Sequence, residues 1–137
     1  MGTTYADITL SNAWDVGNLE HGLIKESEVR TVMVHAVVDT GADTLVITES
    51  IRDKLGLGVK ELFEATFANN TKEISRLVEP VDIRWGSRST TLEPWVVSGE
   101  GEVLLGALAL EAMDLIVDPL GETLTGRHGN TIKGMIR

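Results

Sequence analysis

The stretch from Glu28 to Val38 constrains this chain more than any other. It contains Val29, Val32, Val34, Val37 and Val38 with no Gly and no Pro, so it favours an extended backbone and reads as a strand. Its apolar positions alternate at first and then merge at Ala36-Val37-Val38, the mark of a strand covered on both faces. Asp39-Thr40-Gly41-Ala42-Asp43 follows directly, and then a second apolar run, Leu45-Val46-Ile47. A lone carboxylate between buried strands is costly, or takes its proton back. The residues alone leave two readings of Asp39. It accepts hydrogen bonds from its own turn beside Gly41, or it is kept for chemistry.

The rest of the chain keeps a β rhythm, with 14 glycines, many β-branched residues and turn signals about every eight to twelve residues. Tyr5–Leu10 reads as a first strand ending in Ser11-Asn12, and the polar stretch to 27 as a loop or wide hairpin. Thr48 is a candidate N-cap for a short helix with Glu49 in its first turn, Ile51 and Leu55 on one face, and Gly56 to close it. Phe63, Ala65 and Phe67 alternate with polar residues up to Asn69-Asn70, which predicts a hairpin. Val81, Ile83 and Trp85 predict a strand, Gly86-Ser87 a turn and Leu92–Val97 the returning strand. The Gly99–Gly101 loop precedes Val103–Gly106, Ala107–Met113 has helical composition, and Leu115–Val117 reads as a strand ended by Asp118-Pro119. The tail from Glu122 offers one or two short strands. No linker divides the 137 residues, so one domain is expected.

Composition narrows the function. A net charge of −9 without Lys/Arg clusters repels phosphate backbones, so no nucleic-acid partner is expected. There is no cysteine, which excludes disulfides, thiolate nucleophiles and Cys-ligated zinc. The apolar run near Val103–Leu110 is far short of a membrane span, and the first residues lack a secretory pattern, so a soluble cytoplasmic protein without a membrane partner is expected. His21, His35 and His128 show no metal-ligand spacing and read as solvated or structural, so no metal and no cofactor is expected. There is no serine nucleophile elbow and no P-loop, and the glutamates of Gly99-Glu100-Gly101-Glu102 would repel a phosphate. A magnesium phosphatase would want Asp-x-Asp, and position 41 is Gly. Trp14, Trp85 and Trp95 read as core or interface fillers.

Ala36–Ile47 resembles the active-site loop of the retropepsin-like aspartic proteases: an apolar run, Asp-Thr/Ser-Gly-Ala, then a further strand. Val103-Leu104-Leu105-Gly106-Ala107-Leu108 is similar to that family's second feature, apolar residues and a Gly ahead of a short helix. The order in between also matches, so the resemblance spans residues 28–119. It implies an all-β fold, a closed barrel with a flap hairpin and one or two short helices, to which residues 1–27 add a first strand and loop.

The same resemblance implies an endopeptidase. The chain has a single Asp-Thr-Gly, so the second catalytic carboxylate would come from an identical partner in a homodimer, the two Asp39 side chains sharing one proton. By carry-over, Thr40 braces the partner loop and Gly41 lets the backbones approach. Ala42, Asp43, Leu105 and Gly106 border an extended peptide substrate, Asp43 contacting its backbone or supporting the dimer and Gly106 letting its strand pass close behind the loop, and Ala68, Asn69 and Asn70 cover it from the flap. Two features depart from the family. Ala107 stands where many relatives carry an Arg, leaving Asp43 either unpaired or to pair with Arg127, Arg137 or a partner residue. The flap tip has Asn69-Asn70 and no Gly. The alternative is a catalytically silent dimeric peptide-binding or scaffold module of the same fold.

Overall fold

In the computed structural model, residues 3–66, 68–97, 101–118 and 123–128 are described. Phe67, Gly99, Glu100, Pro119 and Arg137, singled out above, lie outside them, as does most of the tail.

Strand β1 (Tyr5–Asn12) leads into helix α1 (Ala13–Glu20), and a single 3₁₀ turn at Glu26–Glu28 precedes β2 (Thr31–Val38). Then come β3 (Leu45–Ile47), α2 (Glu49–Leu55), β4 (Val59–Thr66), β5 (Lys72–Val78), β6 (Val81–Trp85), β7 (Arg88–Leu92) and β8 (Trp95–Val96). The described chain continues with β9 (Leu104–Leu105), α3 (Ala107–Ala112), β10 (Leu115–Asp118) and β11 (Thr123–Gly126). Nine strands form one sheet in the order β4-β5-β8-β3-β9-β2-β1-β6-β7, and β10 pairs with β11 apart from it. The fold is β-dominated, as the sequence implies. Among the described residues the ladder stays open, with β4 and β7 at its edges, and three short helices accompany it rather than one or two.

Helix α2 follows its sequence signals. Thr48 Oγ1 accepts from the Ile51 N–H at 3.3 Å, Gly56 closes the helix with φ of 66°, and Ile51 and Leu55 are buried. Helix α1 replaces the expected loop. The Asn12 side chain accepts from the N–H groups of Trp14 and Asp15 and donates to the Leu55 carbonyl at 2.8 Å. One side chain thus caps α1 and ties it to α2. Asp15, buried in the first turn, receives both the backbone N–H and the guanidinium of Arg30, which hold its carboxyl below its ordinary pKa against the opposing effect of burial.

The partner of β6 is Arg88–Leu92 and not Leu92–Val97, because Gly86, with φ of 57°, turns the chain at once. That frees Trp95–Val96 to pair in parallel with β3 and antiparallel with β5. Ile8, Leu10, Leu45, Ile47, Ile83 and Leu105 make the centre of the core and are all but inaccessible to solvent. Trp85 packs on the core as expected, whereas Trp14 is exposed.

Candidate active site

The loop Asp39–Thr44 is positioned by three strands that meet from distant parts of the chain. Strand β9 lies between β2, with which it runs parallel (Val38 opposite Leu105), and β3, with which it runs antiparallel (Leu45 opposite Leu105). The Asp39 N–H donates to the Leu105 carbonyl at 3.0 Å, so the strand holds the acid's backbone directly. Beyond β9 the chain passes beneath the loop at Gly106. A Cβ there would stand 2.6 Å from the Ala42 carbonyl oxygen and 2.8 Å from the Thr44 nitrogen, and closer still to the Thr44 carbonyl. Only glycine fits. The crossing is pinned by the Ala107 N–H to the Ala42 carbonyl and the Leu108 N–H to the Asp43 carbonyl, each 2.9 Å.

Within the loop, the Gly41 N–H donates to Asp39 Oδ1 at 2.9 Å and the Ala42 N–H to the Asp39 carbonyl at 3.1 Å. The turn that a structural Asp would make is therefore present. It uses one oxygen of the carboxylate, and no hydrogen bond reaches Oδ2 among the described residues. The side chain is half-buried and opens into a cavity of about 430 Å³ that reaches from the loop to the flap hairpin β4–β5.

The structure brings Asp39, Gly41, Ala42, Asp43 and Ala68 together on the wall of this cavity. Thr40 is exposed on the loop and outside the wall. Asn69 and Asn70 form the exposed hairpin turn, with Asn70 at φ of 64° in the left-handed region that Asn tolerates. Leu105 requires a correction: its side chain is fully buried in the core, and by strand alternation its neighbour Leu104 faces the cavity instead. Gly106 is likewise buried under the loop, a support and not a wall. No hydrogen bond or ion pair to the Asp43 carboxylate occurs among the described residues, so the expected pairing with Arg127 is not seen, and Arg137 lies outside the described residues.

Among the wall residues that sequence reasoning missed are Val46, Ser75, Trp95 and Glu102. They come from β3, β5, β8 and the approach to β9, neighbours only through sheet pairing. Trp95 stacks on Phe63 of the flap, ring centroids 5.6 Å apart. Two of the histidines are engaged away from the cavity. His35 lies 2.7 Å from Asp7 and stacks on Tyr5, and His128 lies 2.8 Å from Asp114. No group of His, Asp and Glu able to hold a metal occurs among the described residues, and no described helix is long and apolar enough to cross a membrane.

Comparison with known proteins agrees with this geometry. No curated protein matches the sequence. Among solved structures, the retroviral protease-like domain of Ddi1 from Leishmania major superposes with a TM-score of 0.56 at 13% identity, over 98% of this chain and 91% of that one. The EIAV protease complexed with the inhibitor HBY-793 aligns with a TM-score of 0.49 at 18% identity over 80% and 86% of the two chains. A retropepsin-like aspartic protease from Rickettsia conorii gives 0.43 at 20% over 86% and 89%. Residues 26–112, from the turn before β2 to the end of α3, match the family described as "gag-polyprotein putative aspartyl protease". This chain, with its Asp-Thr-Gly loop braced by Gly106, belongs to that retropepsin-like aspartic protease family.

Proposed function

We propose that the protein is an aspartic endopeptidase whose catalytic pair is made of two Asp39 carboxylates, one from each copy of a homodimer. The observation that carries this reading is the placement of Asp39: its backbone is clamped by β9, one carboxylate oxygen is held by Gly41, and the side chain opens into the cavity beneath the flap. Clamping matters because general acid–base catalysis needs the carboxyl within hydrogen-bond reach of the proton it moves.

With one proton shared by the pair, the ionised carboxylate takes a proton from a water molecule as its oxygen bonds to the substrate carbonyl carbon. The protonated carboxyl gives its proton to the carbonyl oxygen. Collapse of the tetrahedral species breaks the C–N bond: the nitrogen leaves with the proton the base had taken, and one hydroxyl of the species returns its proton to the other carboxylate, so that the pair again shares one proton. No covalent enzyme intermediate and no metal enters this scheme. Thr40, exposed and outside the cavity wall, is free to reach the partner's loop, and an extended peptide would lie across the two-fold axis, pairing with strand backbone. The proposal takes residues 1–137 as one domain acting in the cytoplasm.

A second reading has its own support. The Gly41 N–H to Asp39 hydrogen bond gives the aspartate a structural use, which a non-hydrolytic peptide-binding dimer would also keep. One experiment separates the two. A peptide-library digest is run with wild type and Asp39→Asn, each across a dilution series. The peptidase reading expects hydrolysis that is lost in Asp39→Asn and falls in specific activity as the dimer dissociates. Peptide binding without cleavage by wild-type dimer overturns it in favour of the scaffold.

A further inference from the structure

The cavity beside Asp39 has a chemical bias that hydrolysis does not require. Apart from the indole N–H of Trp95, every polar side chain on its wall ends in oxygen. Asp43 and Glu102 bring carboxylates, and Thr44, Thr66 and Ser75 bring hydroxyls. No Lys, Arg or His lines it among the described residues, and neither Asp43 nor Glu102 has an ion-pair partner there.

Ser75 supplies an independent sign of a ligand. Its Oγ is fully buried on the cavity wall and has no hydrogen-bond partner, the one such buried side-chain atom among the described residues. A buried hydroxyl without a partner is costly, and the cost is recovered when a bound group supplies one. Trp95 provides a flat apolar wall, held in place by its stacking on Phe63.

We propose that this cavity is a specificity pocket for a basic substrate side chain, lysine or arginine. Both end in hydrogen-bond donors with no acceptor, which suits a wall of oxygens. Both carry a methylene stem that can lie along the Trp95 ring, where the cation also gains from the π face. A glutamine would set its own carbonyl among the carboxylates, and a glutamate would be repelled. The exposed Asp43 and Glu102 attract the cation, and the buried Ser75 accepts a hydrogen bond deeper in the pocket. This inference rests on the peptidase reading for its use in catalysis, but the pocket's preference in binding stands or falls by itself.

The test uses the full chain and peptides in which one position at a time is lysine, arginine, norleucine, glutamine or glutamate. Cleavage is measured with wild type, and binding by fluorescence anisotropy with Asp39→Asn. At one position lysine or arginine should exceed norleucine by about tenfold, the advantage shrinking in Asp43→Asn and Glu102→Gln and with added salt. Ser75→Ala should lower the same advantage without abolishing it. Norleucine equal to or better than lysine at every position overturns the proposal, as does a preference untouched in the Asp43→Asn, Glu102→Gln double variant. Binding with the expected preference but no cleavage by wild type refutes the peptidase reading and leaves the pocket standing. No binding of any peptide refutes both.

Discussion

The loop that carries Asp39 and the hairpin that faces it across the cavity are built on opposite terms. The loop is held from below by a strand inserted between its two flanking strands, by three backbone hydrogen bonds onto β9 and the start of α3, and by a glycine that leaves no spare volume. Hairpin β4–β5 is paired along one side only. β4 is an edge strand, the register slips between Val59 and Glu61, and Leu62 and Ile74 are each 67% exposed. Backbone with few buried contacts opens at low free-energy cost, whereas a core crossing opens only with the whole fold. The contrast teaches where precision is stored: in the floor, with the cover more loosely held.

Gly106→Ala attacks the floor at its tightest point, and the clash with loop backbone should cost about 3 kcal/mol or more in chemical denaturation. A loss below about 1 kcal/mol would show that the crossing is slack. Asp15→Asn, which loosens the Arg30 anchor just ahead of β2, should cost about 2 kcal/mol near neutral pH. Since Arg30 lowers the folded-state pKa of Asp15, that contribution is present above its ordinary value of 3.8 and fades as pH falls through the depressed folded value. The wild-type and Asp15→Asn denaturation midpoints should therefore converge in acid. On the cover, Asn70→Gly relieves a left-handed residue and should stabilise by about 0.5 kcal/mol. Ile74→Thr, at an exposed flap position, should stay within about 0.5 kcal/mol. A large loss there would mean the hairpin is packed as firmly as the floor, and the contrast would collapse.

What could be read from the sequence follows the same division. Short-range signals carried far: Thr48 and Gly56 bracket α2, Asn69-Asn70 turns the flap, and Asp39–Asp43 lies where an apolar strand ends in acid. Helix α1 escaped because Gly17 sits in its middle and it spans only eight residues, although Asn12 with Asp15 three positions on was a legible start signal. Strand β7 escaped because Arg88-Ser89-Thr90-Thr91 is polar, as an edge strand can be. The cavity wall was hidden for a different reason. Ser75 and Trp95 approach Asp39 only through the order β5-β8-β3-β9, which no local pattern encodes, and choosing Leu105 over Leu104 was a one-residue slip that exchanges the two faces of a strand.

The insertion of β9 between β2 and β3 also sets a timetable. Asp39 and its flanking strands leave the ribosome long before Leu104 and Leu105, yet the slot between those strands is filled only by this later segment. Pairings that close such long loops form slowly. A nascent chain that has not yet made residues 101–112 therefore holds its acid on an unsupported turn, and synthesis itself delays the bracing of that loop.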